Sequence, residues 1–414
     1  MIGPAIRRTT FLAGTLAAAL ALAACSSSSS SSGTGSAATS GPAAAAPKGT
    51  LIKVGLITSL TGPQASSTAQ TATVAPAWAD WINANGGIDG HPVKTVVVDD
   101  KTDPATGQAV EQQLAADGVT GIIVGNDDVI SAYDSAAIGK GIPLIGGVSY
   151  ENDWYTKAGM FPTSTNIVSG LAAQVGVAIN YAHAKMFADV YASEVAAAGQ
   201  ATPILAGAAK AGGIGFADLA VSSTAPSYTA QCLLLQQKKV DYVQLDVTTA
   251  AAVRFIQNCQ AQNYNPTWGS SEQPMGPAFA ALPNVTLYGP AYSFPSVADA
   301  APVSTFRAAM QKYAANDNWH DGAASFTWDG LQAFAQAVKN DGVAASAPVT
   351  VADVTAGLYD FKGENLGGEL ANRVTYTKGK PFGFTANPCY FVIGMKNGKL
   401  VAPAGVTPQC AAKP

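Results

Sequence analysis

From residue 51 onward, short runs of apolar and β-branched residues alternate with helix-length segments, and this alternation restricts the fold more than any other feature. "LIKVGLITSL" reads as a buried strand and "TAQTATVAPAWADWINANGG" as a helix stopped at Gly86 and Gly87. "PVKTVVVDD" is a second strand, and "DPATGQAVEQQLAADG" a helix with Asp103 as N-cap and Pro104 in its first position. Strands "GIIVG" and "IPLIGG" follow, with a helix between them. Strands apolar on both faces and separated by helices predict a parallel sheet covered on both sides.

The alternation then repeats: a helix over about residues 166–182, strand "MFADVYA", a helix near residues 203–211, strand "FADLAV", a helix with Cys232, strand "DYVQLDV", a helix with Cys259 and strand "TWGSS". Two βα sets in one chain predict two lobes with a cleft between them, the ligand lying beyond the carboxyl ends of the strands. "VTLYGPAYSF" and the helical patterns after it read as a return to the first lobe, and "NPCYFVIGMKNGKLVAP" as a hairpin turning at Lys396, Asn397 and Gly398.

The N-terminus is a different kind of sequence. Arg7 and Arg8 precede an uncharged apolar run over residues 11–24, which has the charge order of a signal peptide and is too short to span a bilayer. Leu22, Ala23, Ala24 and Cys25 resemble the lipobox of bacterial lipoproteins, which implies an acylated Cys25 as the mature N-terminus. Several acyl chains on one cysteine make a lasting anchor where a single chain holds only marginally. Seven serines, Ser26 to Ser32, and a Gly/Ser/Ala/Pro mixture after them read as a flexible tether. The RR pair leaves the export route, general secretory or twin-arginine, open.

Beyond the tether about 365 residues remain, more than one core usually serves. Without Arg7 and Arg8, the 23 basic residues become 21 against 27 acidic, a formal charge of −6, so nucleic acid is not an expected partner. Four further cysteines allow three pairings. Cys232 with Cys259 is favoured because helices flanking one strand pack side by side, and Cys389 with Cys410 because it closes the C-terminal segment. No Cys-x-x-Cys occurs and His91, His183 and His320 are scattered, so no metal site is expected.

"IKVGLITSLTGP", "INANGGIDGHPVKTVVVDDKTDP", "GIPLI" and "FTWDGLQAFAQAVKNDG", in this order, resemble the branched-chain amino-acid-binding family of type I periplasmic-type solute-binding proteins, which feed ABC importers. The resemblance covers about residues 51–360 and implies two doubly wound parallel-sheet lobes, the type I periplasmic binding fold, linked by three crossovers. The resulting division is a signal peptide at 1–24, acylated Cys25 and tether at 25–49, a first lobe at 50–163 with 291–360, and a second at 164–290 with 361–414.

The family pattern also implies site positions. Where its ligand carboxylate meets a Ser after the third strand, this chain has "GNDDVIS", placing Asp127 or Asp128 there, although one of the two equally suits a helix N-cap. Two carboxylates would repel an anionic ligand, which predicts a neutral or cationic one. After the fourth strand Val148, Ser149 and Tyr150 replace the usual Ser-Pro-x-Ala-Thr. Tyr150, Trp154 and Tyr155 suggest a stacking surface for a ring or sugar, with packing beneath the loop as the rival for the last two. Glu272 falls within one position of the family's ammonium-binding acid, Glu194 where the family has a Tyr, and Ser67 where some members carry an aromatic.

No Gly-x-Ser-x-Gly elbow, phosphate-cradling Gly-x4-Gly-Lys loop or GxGxxG after the first strand is present, so neither an enzyme nor a cofactor is expected. Asp99 and Asp100 are adjacent on a strand and point to opposite faces, so they do not form a catalytic acid pair. The expectation is a monomeric, lipid-anchored binding protein on the outer face of the cytoplasmic membrane, delivering a small molecule to an ABC permease. A sensor passing lobe closure to a membrane kinase is the alternative, and fold alone does not separate them.

Overall fold

A computed structural model of the chain describes residues 45–271, 275–317, 319–320 and 322–411. The signal peptide, Cys25, most of the tether and Glu272 lie outside the described residues.

The first sheet comprises β1 (Ile52–Thr58), β2 (Val93–Asp99), β3 (Ile122–Val124), β4 (Leu144–Gly146) and β5 (Met160–Phe161), all parallel in the order β2-β1-β3-β4-β5. Between them run α1 (Ala65–Thr68), α2 (Thr71–Ala84), α3 (Pro104–Ala116), α4 (Asp134–Gly139) and α5 (Asp153–Thr156). The side chain of Asp103 accepts the Thr106 amide, and Pro104 follows it in the first turn of α3, where a proline's missing N–H costs nothing.

The second set holds α6 (Ile167–Ala182), β6 (Met186–Ala192), α7 (Ala196–Ala211), β7 (Gly215–Val221), α8 (Thr229–Gln237), β8 (Tyr242–Asp246), α9 (Thr249–Gln260), β9 (Thr267–Gly269), α10 (Pro277–Ala280) and β10 (Thr286–Ala291). Helices α11 (Ala301–Tyr313), α12 (Gly322–Asp341) and α13 (Val351–Tyr359) follow, then β11 (Lys362–Glu364), β12 (Val374–Thr375), β13 (Cys389–Lys396), β14 (Lys399–Val401) and β15 (Gln409–Cys410). The second sheet runs β14-β13-β10-β9-β8-β6-β7, parallel from β7 to β10, with β13 and β14 antiparallel.

Both sheets are covered on two faces. Val54, Trp78 and Leu331 pack on one side of the first sheet, where α2 and α12 lie, and Ile57, Leu114 and Ala137 on the other, under α3 and α4. In the second, Phe187 meets Leu171 and Leu205 on the α6 and α7 side, while Val190, Leu235 and Phe255 fill the α8 and α9 side. The alternation of inward positions along β6 sorts these residues to opposite faces. The disulfides are Cys232–Cys259, joining α8 to α9, and Cys389–Cys410, joining β13 to β15.

Two expectations change. "VTLYGPAYSF" does not itself return to the first lobe: its apolar run forms β10, which pairs parallel with β9 and antiparallel with β13 in the second sheet, the latter from Thr286↔Lys396 to Ala291↔Phe391, so the chain leaves that sheet only after Ala291. The α7 helix begins well before residue 203 and carries Pro203 inside it. The proline removes one helical N–H and crowds the carbonyl of Gly199, four residues before it, but the helix runs through it to Ala211.

The chain passes between sheets three times, over residues 162–166, 292–300 and 360–388. The first and third passages are laced together: Asn166 N donates to Asn387 O at 3.0 Å, Asn387 Nδ2 to Ser164 O at 3.0 Å, and Tyr376 Oη to Pro162 O at 2.9 Å.

Candidate ligand-binding cleft

Loops at the carboxyl ends of the first sheet's strands form a polar network. Ser59, after β1, donates to Asp100 Oδ1 at 2.6 Å and accepts Asn126 Nδ2 at 2.9 Å and Thr102 Oγ1 at 3.0 Å. Asp99 turns the other way, its Oδ1 accepting the Leu60 and Lys101 amides at 2.9 Å, so the adjacent acids diverge as strand geometry requires.

Asp127 is fully buried, and its Oδ2 accepts three donors from the loop after β4: Tyr150 N at 2.5 Å, Glu151 N at 2.8 Å and Trp154 Nε1 at 3.0 Å. It therefore holds that loop and is no helix N-cap, while Oδ1 has no protein partner. Burial, then the neighbouring Asp128 charge, raises its carboxyl to about 7 against those hydrogen bonds. Asp128 is half-buried and bonded to the side chains of Gln64 and Asn126, with burial, and then the Asp100 charge, pushing it upward. Glu151 is raised to about 7 by burial and by the charges of Asp127, Asp128 and Asp153.

Val148 is buried and donates its amide to Val124 O at 3.1 Å. Ser149 is also buried, its hydroxyl against Ser164 and its carbonyl accepting Tyr155 Oη at 2.6 Å. Tyr150 is half-buried, its ring edge-on to Tyr292 and Phe326 at centroid distances of 5.8 and 6.3 Å. Trp154 and Tyr155 are packing residues beneath the loop: the indole bonds Asp127 and the Tyr155 ring lies 5.2 Å from Phe384. Of the three aromatics, Tyr150 is the one that is not fully buried.

On the second lobe, Glu194 is exposed and bridges two loops: Oε1 accepts Ser223 N at 2.8 Å and Oε2 accepts Ser193 Oγ at 3.2 Å. Slight burial pushes it up, but the Ser223 and Ser193 hydrogen bonds outweigh this and leave it below the usual range. Ser67 in α1 faces Thr249 at the start of α9, with Oγ to Oγ1 at 3.1 Å and the Thr249 amide at 3.3 Å. This contact joins the loop regions after β1 and β8, one from each sheet.

Four acids at the loop ends of the first sheet, Asp100, Asp127, Asp128 and Glu151, have no ion pair among the described residues. The ion pairs there are Lys140–Glu111, Lys157–Asp134 and Lys157–Asp153. Sequence reasoning missed Glu151, Thr249 and the Gln64–Asn126 pair. Glu151 adjoins Tyr150 in a loop already singled out, and its charge was the available signal. Thr249 lay hidden among ordinary helix-start residues.

A family model described as periplasmic binding protein matches residues 51–399. Among solved structures, a fatty acid ABC transporter substrate-binding protein from Thermomonospora curvata is 17% identical at a TM-score of 0.68, covering 86% of this chain and 92% of its own. A branched-chain amino acid transporter substrate binding protein from Streptococcus pneumoniae, in complex with isoleucine, is 16% identical at 0.67, covering 88% and 100%. An ABC transporter solute binding protein from R. palustris, in complex with benzoate, is 18% identical at 0.68, covering 88% and 98%. No curated protein matches the chain significantly. At these identities the structural likeness is one of fold.

Proposed function

The chain belongs to the periplasmic binding protein family, and on that footing we propose that it is a lipid-anchored extracytoplasmic protein that captures a small molecule between its lobes and passes it to an ABC importer. The reading is supported above all by the Ser67–Thr249 contact, which brings the loop end of one sheet against that of the other, where ligands of such sheets bind. Ligand contacts from both lobes stabilise the closed form; a solute touching only one would shift nothing. Cys25 and the serine-rich stretch after it support the anchor and tether.

The ligand in this reading is neutral or cationic. Isoleucine and benzoate, bound by two of the structural relatives, carry carboxylates. In this chain, the loops that would meet a carboxylate carry Asp127, Asp128 and Glu151 with no described cation among them. Burial and mutual repulsion already raise these acids, and an anion would add to that repulsion, whereas an ammonium, amide or hydroxyl donor would relieve it. Asp128, Glu151, Tyr150, Ser67 and Glu272 would meet the solute. Asp127, Val148 and Ser149 would shape the loop, and Glu194 would hold the opposite rim.

A thermal-shift screen of residues 48–414 against amino acids, amides, polyamines, sugars and aromatic acids tests this. A ligand at 100 times its Kd adds about 2.7 kcal/mol, a shift of several degrees. Hits among amines, amides or polyols are expected; tight binding confined to anionic acids would defeat the ligand assignment.

A further inference from the structure

The α6 face of the second sheet carries buried oxygens for which the protein supplies no donor. The strand register pairs Asp189 of β6 with Gln244 of β8, and Asp246 lies two residues further along β8 on the same face. Gln174 reaches this face from α6: its Nε2 donates to both Asp246 carboxyl oxygens at 3.2 Å, and Gln244 Nε2 donates to Asp246 Oδ1 at 2.8 Å. Asp189 and Gln244 are fully buried and Gln174 is 3% exposed. Both carboxyl oxygens of Asp189 and the Oε1 of each glutamine have no hydrogen-bond partner.

The Asp189 and Asp246 carboxyls lie within hydrogen-bonding reach of each other, yet as carboxylates both only accept. The other charge acting on Asp189 is that of Asp218, its neighbour on β7, and none of the described ion pairs reaches these acids. A proton shared by Asp189 and Asp246 would satisfy one oxygen and leave the second Asp189 oxygen and both glutamine oxygens bare, each a buried acceptor without its hydrogen bond. A cation answers all of them and cancels the paired charge. Two carboxylates balance a divalent ion, and carboxylate and amide oxygens are the ligands calcium takes, whereas magnesium keeps several waters that a buried site has little room for.

We propose that Asp189, Asp246, Gln174 and Gln244 form a calcium site in the core of the second lobe, with each glutamine amide turned by half so that its Oε1 meets the ion. The turn puts Oε1 where Nε2 stands, 2.8 to 3.2 Å from the Asp246 oxygens, about the separation of adjacent oxygens around one calcium ion. Gln244 Oε1 and Tyr242 Oη both border the space left at Gly269, 2.3 and 2.5 Å from where a Cβ would stand, so the turned Nε2 gains the Tyr242 oxygen as a neighbouring acceptor. Asp246, half-buried at the loop end of β8, gives the ion a path from solvent. Among the described residues no group of three His, Cys, Asp or Glu side chains suits a metal; this site has two acids and two amides, which a search for Cys and His in the sequence passes over. The ion would tie α6, β6 and β8 together beneath the loop that carries Thr249.

The test is calorimetric titration of the purified, chelator-treated chain with calcium chloride, with the melting temperature followed alongside. The wild type is expected to bind one calcium per chain, to melt several degrees higher when saturated, and to bind magnesium at least about 10-fold more weakly. Asp189→Asn removes one charge and gives Asp246 an amide donor, so it is expected to fold without calcium and to bind it at least about 10-fold more weakly. Asp246→Asn is expected to do the same from the half-buried side, and either variant that folds decides the matter. No calcium uptake by the wild type, an affinity unchanged in a folded variant, or equal affinity for magnesium each overturns the proposal; a melting temperature that follows pH and ignores calcium would leave a shared proton in its place. No solute takes part, so this result stands apart from that of the solute screen.

Discussion

Ser67 Oγ of the first lobe lies 3.1 Å from Thr249 Oγ1 of the second and also receives the Thr249 amide at 3.3 Å. Ser67 is 6% exposed and Thr249 7%, so the contact is largely shielded from water and favours lobe approach. Ser67→Ala should cost the closed arrangement about 0.5–1.5 kcal/mol, a roughly 2- to 12-fold shift toward separated lobes. Distance measurements between fluorophores on the two lobes would read it, and an unchanged distribution would mean that the contact does not bias closure.

The pH dependence of stability follows from the sign of the Asp127 shift. Its folded-state value, about 7, exceeds the ordinary 3.8, so the folded form binds the extra proton in between. Its contribution is fully present below about 4 and is lost as pH rises through about 7, by at most about 1.4 kcal/mol per pH unit. Asp127→Asn keeps an acceptor for the Tyr150, Glu151 and Trp154 donors and removes the titration. Urea unfolding midpoints should therefore fall less steeply with pH in the variant; parallel slopes would show Asp127 ionised throughout.

The Cys232–Cys259 bridge closes a loop of sequence separation 27 between two buried residues. Replacing both by Ala should lower stability by about 3–4 kcal/mol in the chain-entropy model, read as a drop in denaturation midpoint. A change under about 1 kcal/mol would indicate an unfolded state already constrained in this region.

Gly289 of β10 has no room for a side chain: a Cβ there would sit 1.5 Å from the carbonyl oxygen of Ser270. Because the obstacle is backbone, Gly289→Ala should destabilise by about 1–3 kcal/mol or displace the end of β9. Calorimetry of the variant checks this, and a wild-type melting temperature would contradict it.

Strands apolar on both faces made the two sheets legible in the sequence, since only a doubly covered parallel sheet buries them. The α7 start was obscured by Pro203, which ordinarily opens a helix and here lies inside one, with Gly199 one turn before it. The site was harder to read because its chemistry depends on contacts across sequence. Asp127 looked like a ligand contact or a cap until the fold brought Tyr150, Glu151 and Trp154 to one of its oxygens. Ser67 gained its significance from a partner 182 residues away.

Solute capture by lobe closure is tested most directly by small-angle scattering of residues 48–414 at constant neutral pH, with and without the strongest neutral or cationic ligand from the thermal-shift screen. The account predicts a smaller radius of gyration on saturation, with Asp128→Asn and Glu151→Gln each requiring more ligand to reach it. A radius unchanged at saturation would contradict it.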